Sequence, residues 1–236
     1  MRILSIDSSA KSAGTALTDG EKLISECFVN AGLTHSKTLL MMIDNVLRQA
    51  DSSFSRVDGI AVNSGPGSFT GIRIGVALAK GLAFSNNLPV CGVSTLESIA
   101  YNFIDEDCLV CPCMDARCER VYTALFRCRG GKIERLAPDS AATVDDMRSL
   151  LKEYDEKIYL AGDGAGIYYD KLCDSGNVFL PAEKRRLQNA FSVSLAAQRG
   201  GEFKDPSLLV PLYLRLPQAE RERMERQNTV SNDNNI

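Results

Sequence analysis

The chain has 236 residues, of which 44% are hydrophobic and 24% are charged, and its formal net charge at pH 7 is −3. This composition predicts a globular protein with a substantial core, and the weakly acidic balance argues against a main docking surface for a polyanion. The chain opens on a strand-like segment in place of a signal peptide, and no apolar run approaches the roughly 18 residues that span a bilayer, so we expect a cytoplasmic protein without membrane contact.

The first half of the sequence predicts strands and helices in the order βββαβαβα. Its second and third strands are joined by Asp19-Gly20, a dipeptide typical of two-residue hairpin turns. The predicted elements are strands at 2–7, 13–18, 21–29, 57–63 and 89–93, and helices at 35–50, 70–85 and 95–104.

A similar pattern begins again at residue 108, more loosely. Strand 108–114 ends in Asp115, as the first strand ends in Asp7, and a second hairpin is predicted at Gly130-Gly131. The other predicted elements of this half are strands at 121–127, 132–136 and 157–161, and helices at 144–153 and 191–203.

Two tandem βββαβα units, each closing its first strand on an acidic residue, are typical of the actin-like ATPase architecture, an α/β fold in which a ribonuclease-H-like unit is duplicated. We therefore expect an N-terminal lobe at 1–104 and a smaller, abbreviated lobe at 105–216. The polar segment 217–236 is predicted to be a disordered tail.

The segment 65–75, GPGSFTGIRIG, is the most distinctive stretch of the chain and lies between a predicted strand and a predicted helix. Several glycines and a proline this close together are costly in a regular element, so the segment predicts a specialised turn. Such a turn either presents backbone N–H groups to an anion or lets another backbone approach closely. It is not a P-loop, because no Lys-Ser/Thr pair follows at the required offset.

Four of the eight cysteines follow a C-x2-C-x-C-x4-C spacing that superficially suggests a metal knuckle. They are Cys108, Cys111, Cys113 and Cys118. They lie in and just after an apolar strand, however, and no second pair follows at zinc-ribbon spacing. We expect buried apolar cysteines, no metal site and no disulfides.

Five segments in collinear order over about residues 1–215 resemble the TsaB (YeaZ) family. They are MRILSIDSSAKSAGTAL at the start, GPGSFTGIRIG, GVSTLESIA, DARCERVY at 115–122 and PLYLR at 211–215. The family signature loop comprises Gly65, Pro66, Gly67, Ser68, Phe69, Thr70, Gly71 and Arg73.

The resemblance implies a bacterial subunit of the machinery that installs N6-threonylcarbamoyladenosine next to the anticodon of tRNAs reading codons that begin with A. It further implies a non-catalytic relative of the transferase TsaD that dimerises with TsaD, or with itself when TsaD is absent. The ATPase TsaE joins the pair, and tRNA is contacted only indirectly.

The histidine content agrees with a non-catalytic role. Similar transferase subunits hold a metal with two histidines four residues apart on a helix, where both imidazoles point the same way. Here His35 is the only histidine in the chain, and Leu39 stands four residues further on. That metal site cannot form.

The alternative function is that of an ATP-dependent small-molecule phosphotransferase, because such kinases share the actin-like architecture. Asp7 and Asp115 occupy the positions of the acidic residues in such kinases, and a turn containing Gly162 and Gly164 follows strand 157–161. The run SSAKSAG after Asp7 is not the usual glycine-containing phosphate hairpin, however. We therefore expect no cofactor, with at most weak ATP or ADP contact at these four residues.

The partner surface is predicted on the helices at 35–50 and 70–85. The second helix carries a stripe of small residues, spaced four apart, that would let another helix approach closely. Its bulky row Ile74, Leu78 and Leu82 would then face the sheet. The first helix has a predicted core face of Leu39, Leu40, Ile43, Val46, Leu47 and Ala50. The predicted interface residues are Met41, Met42, Gly71, Gly75, Ala79 and Ala83.

Overall fold

A computed structural model of the protein describes residues 1–117 and 119–215. The predicted tail at 217–236 and Cys118 lie outside the described residues. The strands are β1 (Arg2–Asp7), β2 (Ala13–Asp19), β3 (Lys22–Val29), β4 (Gly59–Gly65), β5 (Val90–Ser94), β6 (Cys108–Asp115), β7 (Arg120–Arg129), β8 (Lys132–Thr143), β9 (Ile158–Ala161) and β10 (Val178–Phe179). The helices are α1 (His35–Gln49), α2 (Phe69–Asn86), α3 (Thr95–Ala100), α4 (Val144–Leu151), α5 (Ala165–Leu172), α6 (Glu183–Arg186) and α7 (Ala190–Gly200).

The strands form two five-stranded sheets of equivalent topology, ordered β3-β2-β1-β4-β5 and β10-β9-β6-β7-β8. In each sheet the first strand is central, an antiparallel hairpin lies on one side of it, and two parallel strands lie on the other. The duplicated, actin-like α/β fold is therefore confirmed. The second sheet has the shorter parallel strands, since β9 and β10 have 4 and 2 residues against 7 and 5 in β4 and β5.

The helices and sheets are arranged in layers around four hydrophobic clusters. Helices α1 and α2 pack on one face of the first sheet, and α4 and α5 pack on one face of the second. The other face of the first sheet is covered by α7, and the other face of the second sheet is covered by α3. Each sheet thus buries both faces, as its nearly continuous apolar central strands require.

Helix α7 packs against the first sheet, although chain order predicted it as part of the lobe at 105–216. The Ser5 hydroxyl on β1 donates to the Ala190 carbonyl at 2.6 Å, and Thr18 and Ser194 share a hydroxyl hydrogen bond of 2.6 Å. These hydroxyls are buried, so each needs a partner, and α7 supplies it. The prediction that α7 belongs to the lobe at 105–216 was therefore wrong, because α7 packs on the first sheet.

After α7 the described part of the chain runs past the outer edge of β5 without a further strand or α-helix, and it includes one short 3-10 helix (Pro206–Leu208). Residues 204–215 are here called the C-terminal strap. Lys204 pairs with Val90 in antiparallel fashion, and the Leu212 amide donates to the Ser64 carbonyl at 2.7 Å. At its end, Arg215 Nη1 donates to the Ala116 carbonyl at 2.8 Å, next to the β6–β7 turn. The strap therefore joins both lobes.

Most predicted elements are present, with differences concentrated in the second half. Helices α5 and α6 and strand β10 were not predicted. Strand β8 continues to Thr143 instead of ending at Leu136, because it is an edge strand, where Pro138 and irregular pairing are tolerated. Both predicted hairpins are confirmed, with Gly20 and Gly130 in the left-handed region. Among the described helices, none is long and apolar enough to cross a membrane.

Candidate functional site

The glycine-rich turn packs directly on the turn between β1 and β2. The Ser68 amide donates to the Ser9 carbonyl at 2.7 Å, and the Ser8 hydroxyl donates to the Gly71 carbonyl at 2.8 Å. A Cβ atom at Gly67, where φ is +153°, would overlap the Ser9 carbonyl oxygen. A Cβ at Gly71 would overlap the Ser8 carbonyl oxygen in the same way. Of the two alternatives for this turn, close approach of another backbone is therefore the one observed.

The β1–β2 turn is sealed as a result. Ser8, Ser9 and Ser12 are all buried, and the turn is held from a third side by the His35 ring, whose Nε2 lies 2.8 Å from the Ala10 carbonyl oxygen. With Nε2 donating, the imidazole is fixed in position at the start of α1. His35 thus serves the packing of this turn.

The remaining signature residues lie at the start of α2. The Ser68 side chain caps the helix by accepting from the Gly71 amide at 3.3 Å, as an N-cap serine typically does. Thr70 is exposed. Phe69 and Arg73 contact Tyr213 of the strap. A Cβ at Gly65 would overlap the carbonyl oxygen of Leu212, also in the strap.

Asp7, at the end of β1, is completely buried. Its Oδ1 accepts from the Ser9 amide at 3.2 Å, the Ser9 hydroxyl at 2.7 Å and the Asn63 side-chain amide at 2.7 Å, whereas its Oδ2 has no partner. Burial raises the pKa of the Asp7 carboxyl above its ordinary value, although these hydrogen bonds act in the opposite direction. The carboxyl is a buried acceptor that belongs to the packing of the turn.

Asp115 and the turn at 162–164 occupy the equivalent place in the second lobe. Asp115 is exposed, and its Oδ1 accepts from the Arg117 amide at 2.8 Å. The Gly162 amide donates to the Arg186 carbonyl at 2.5 Å, and the Gly164 amide donates to the Cys113 carbonyl at 2.9 Å. Both amides are therefore used inside the chain, so Gly162 and Gly164 close the turn against β6 and do not present these donors to a nucleotide.

Asp163, between these two glycines, was not predicted as a site residue, although its position in a strand-to-helix turn could have indicated it. Burial raises the pKa of its carboxyl to about 6, with smaller contributions from the charges of Asp115 and Asp7. Gln188 Nε2 donates to Asp163 Oδ1 at 3.3 Å. Three acidic residues are thus near one another, yet within the described residues no three acidic, cysteine or histidine side chains are arranged to hold a metal ion.

The cysteines of β6 line a packed strand. Cys108, Cys111 and Cys113 are buried, as the sequence predicted for an apolar strand. Cys108 lies opposite Cys128 of β7, and Cys111 and Cys113 lie in the core of the second sheet. Cys118, the fourth member of the spacing, is not among the described residues.

The predicted stripe of small residues on α2 faces the chain's own first lobe. Ala79 and Ala83 are fully buried in the core beneath α2, and a Cβ at Gly75 would overlap the Ser8 hydroxyl oxygen. Gly71 is pressed against the same turn. The interface prediction for Gly71, Gly75, Ala79 and Ala83 was therefore wrong, because α2 needs small residues to lie close to its own sheet.

The bulky row of α2 that was predicted to face the sheet does not face it. Ile74, Leu78 and Leu82 are only partly buried and lie at the margin of the core that α2 shares with α1. On α1, Met42 is buried in that core, so its assignment to the interface was also wrong. Leu40, predicted as core, is exposed, because the buried face of α1 follows Leu39, Met42, Ile43, Val46 and Leu47 at helical spacing.

An apolar surface remains on the outward side of the two helices. It is formed by Leu40, Met41, Ala77, Gly81 and Phe84 and is here called the helix face. Met41 is 68% exposed and Phe84 is 59% exposed, and a Cβ at Gly81 would have open space around it. The exposure of Met41 agrees with its predicted contact role, which stays a prediction. The small residues that point outward on α2 are thus Ala77 and Gly81.

Comparison with known proteins identifies the class of protein. The model of the family "TsaD: tRNA N6-adenosine threonylcarbamoyltransferase" matches residues 30–199. The activator of 2-hydroxyisocaproyl-CoA dehydratase from Clostridium difficile, solved with ADPNP, aligns at a TM-score of 0.51 and 10% identity over 84% of this chain and 94% of that one, which shows the fold alone. The chain is thus an actin-like protein of the group that includes the threonylcarbamoyltransferases.

Within that group the similarity is more specific. The tRNA threonylcarbamoyladenosine biosynthesis protein TsaB of Bacillus subtilis is 34% identical over 96% of this chain and 100% of its own length. TsaB of Escherichia coli is 35% identical over 54% of this chain and 55% of its own length. The structure of YeaZ from Pseudomonas aeruginosa aligns with a TM-score of 0.78 at 28% identity, over 90% of this chain and 99% of that one. The chain belongs to the TsaB (YeaZ) family.

Proposed function

We propose that this chain is a non-catalytic scaffold subunit in the formation of N6-threonylcarbamoyladenosine in tRNA. In this role it dimerises with a TsaD-like transferase subunit through the helix face, and a TsaE-like ATPase joins the pair. When the transferase is absent, a second copy of the chain takes the same place in a two-fold symmetric dimer. The observation that carries the proposal is the exposed apolar helix face of the first lobe.

The helix face has the composition of a surface for another pair of helices. Ala77 and Gly81 are small, so a second helix is able to approach α2 closely at this point. Met41 and Phe84 provide large, exposed apolar side chains, of the kind that is enriched at contact surfaces.

The structural role of His35 supports a non-catalytic chain. The transferase subunits to which the chain is similar are expected to use two histidines one helical turn apart, whereas Leu39 takes the second position here and is buried. The imidazole of His35 contacts the Ala10 carbonyl, so it holds the β1–β2 turn. This arrangement leaves the metal-dependent chemistry to the partner.

The phosphotransferase alternative is disfavoured by the same turn. A kinase of this fold needs the β1–β2 turn open to the phosphates of ATP, but here Ser8 and Ser9 are buried beneath the glycine-rich turn. The amides of Gly162 and Gly164 are likewise used within the chain. Binding a nucleotide at either place requires these contacts to separate, so any nucleotide contact is expected to be weak.

Reconstitution of tRNA modification tests the proposal. The purified chain alone is expected to show neither ATP turnover nor threonylcarbamoyl transfer, and modification is expected only when the organism's own transferase subunit, the ATPase and threonylcarbamoyl-adenylate are supplied. Gly81→Arg should abolish this activation by placing a long charged side chain on the helix face. Gly200→Arg is the matched control, because Gly200 is also a helical glycine with open space around it and lies outside the helix face.

Two results would contradict the proposal. Steady ATP-dependent phosphorylation of a small molecule by the isolated chain would favour the alternative function. Full activation by Gly81→Arg would show that the helix face does not contact the transferase.

A further inference from the structure

The C-terminal strap carries a second exposed apolar surface. Leu208 is 63% exposed and Val210 is 67% exposed, whereas Leu209 between them is buried in the core of the first lobe. Leu212 is also exposed and continues the outward row at every second residue. Leu208 ends a short 3-10 helix (Pro206–Leu208), and beyond it the chain alternates between the core, at Leu209, and the outward side, at Val210 and Leu212.

The strap is fixed to α2 at two points. Lys80 Nζ donates to the carbonyl oxygens of Ser207 and Leu209 at 3.2 and 3.0 Å. Arg73 Nε donates to the Tyr213 hydroxyl at 2.8 Å, and its guanidinium lies 3.9 Å from the centre of the Phe69 ring. Because the strap is already held in place, little conformational entropy of the strap is lost when a partner binds it.

The strap lies beside the helix face. Phe69, Arg73 and Lys80 fall within about 40° of one another on the helical wheel of α2, at 100° per residue, so they form one side of the helix. Ile74, Leu78 and Leu82 lie on the opposite side, at the margin of the core shared with α1. Ala77, Gly81 and Phe84 point outward between the two sides, so α2 is flanked by α1 and by the strap.

The helix face is too small to be a complete interface, so a partner that binds it must also contact neighbouring surface. A standard interface buries about 800 Å² on each partner, with about 20–30 residues a side, which is more than the five residues of the helix face supply. The other exposed side chains of α1 include Lys37, Asp44 and Arg48, which are charged. The exposed aliphatic side chains of the strap would extend the apolar surface of the helix face on the other side of α2.

We propose that the strap is a second contact surface for the same transferase subunit, through Leu208, Val210 and Leu212. This inference rests on the proposed function, since it names a further part of the surface on which the partner sits. The strap and the helix face then form one continuous interface, with α2 at its centre. The partner segment that meets the strap is apolar, to match the aliphatic row.

Calorimetric titration of the full chain with the organism's own transferase subunit tests the inference. The test variant combines Leu208→Asp and Val210→Asp, and Gly81→Arg serves as the reference for the helix face. The matched control is Ile167→Asp on α5, which also introduces an aspartate at an aliphatic side chain that is 60% exposed, but on the second lobe. Thermal unfolding of each variant establishes that it is folded.

The double strap variant should raise the Kd at least about tenfold, the usual effect of disrupting a central contact, with an unchanged unfolding midpoint. Ile167→Asp should leave the Kd unchanged. A wild-type Kd for the strap variant, while Gly81→Arg loses binding, would overturn the strap contact and leave the helix face in place. An equal loss with Ile167→Asp, or no binding by the wild-type chain, would also overturn it.

Discussion

Replacing two glycines of α2 with alanine is expected to have opposite effects on stability. A Cβ at Gly71 would overlap the Ser8 carbonyl oxygen and would lie 3.3 Å from His35 Cδ2, whereas a Cβ at Gly81 meets nothing within 4 Å. The obstacle at Gly71 is backbone, which cannot rotate away as a side chain can. The two variants share one helix and one chemical change, so each serves as the control for the other.

The expected magnitudes follow from these contacts. Gly81→Ala should stabilise the protein by about 1 kcal/mol, since alanine is that much better than glycine in an exposed helix interior. Gly71→Ala should cost about 1–3 kcal/mol for overpacking, and roughly 1 kcal/mol more if the hydrogen bond from the Ser8 hydroxyl to the Gly71 carbonyl is lost. For a protein of this size, 1 kcal/mol corresponds to a change in the unfolding midpoint of about 2–4 °C.

Differential scanning calorimetry of both variants and the wild-type chain measures the effect. The midpoint should rise by a few degrees for Gly81→Ala and should fall by about 5–10 °C for Gly71→Ala. Equal midpoints, or a higher midpoint for Gly71→Ala, would refute the conclusion that the signature glycines exist to let α2 approach the β1–β2 turn.

Two further predictions concern the junction of the lobes. Because the pKa of Asp163 is raised to about 6 in the folded protein, from an ordinary value of 3.8, its contribution to stability is fully present below the lower value and is lost as the pH rises through the upper one. Asp163→Asn should therefore stabilise the protein more at pH 8 than at pH 5, and an identical shift in the unfolding midpoint at both pH values would contradict this. Arg215→Met removes the hydrogen bonds to the carbonyls of Ala116 and Arg117 and should lower the unfolding free energy in urea by about 1 kcal/mol, whereas an unchanged transition would show that the strap does not join the lobes.

The strand order of both lobes was predictable from the sequence because it follows from local patterns. Hairpin dipeptides such as Asp19-Gly20 and apolar runs ending in Asp7 and Asp115 are visible within a few residues. The duplicated fold followed from repeating that pattern. The return of α7 to the first sheet was not predictable, because its partners Ser5 and Thr18 lie more than 170 residues away in the chain.

The orientation of α2 shows why the partner surface was only partly predictable. Gly71 and Gly75 indicate that another backbone comes close to α2. The local sequence does not say whether that backbone belongs to the same chain or to a partner. The answer lies in Ser8, which is 63 residues from Gly71 in the chain. On α1, Leu40 and Met42 lie on opposite flanks of the predicted apolar face, about equally far from its centre. Which of the two is buried therefore depends on how the helix packs.

The central claim is that the helix face joins this chain to a transferase subunit. The most direct test is the native mass of an equimolar mixture with the organism's own transferase subunit, compared among the wild-type chain, Gly81→Arg and Gly200→Arg. A heterodimer mass with the wild-type chain and Gly200→Arg, and separate subunits with Gly81→Arg, is the predicted result. A heterodimer that persists with Gly81→Arg, or separate subunits with the wild-type chain, would contradict it.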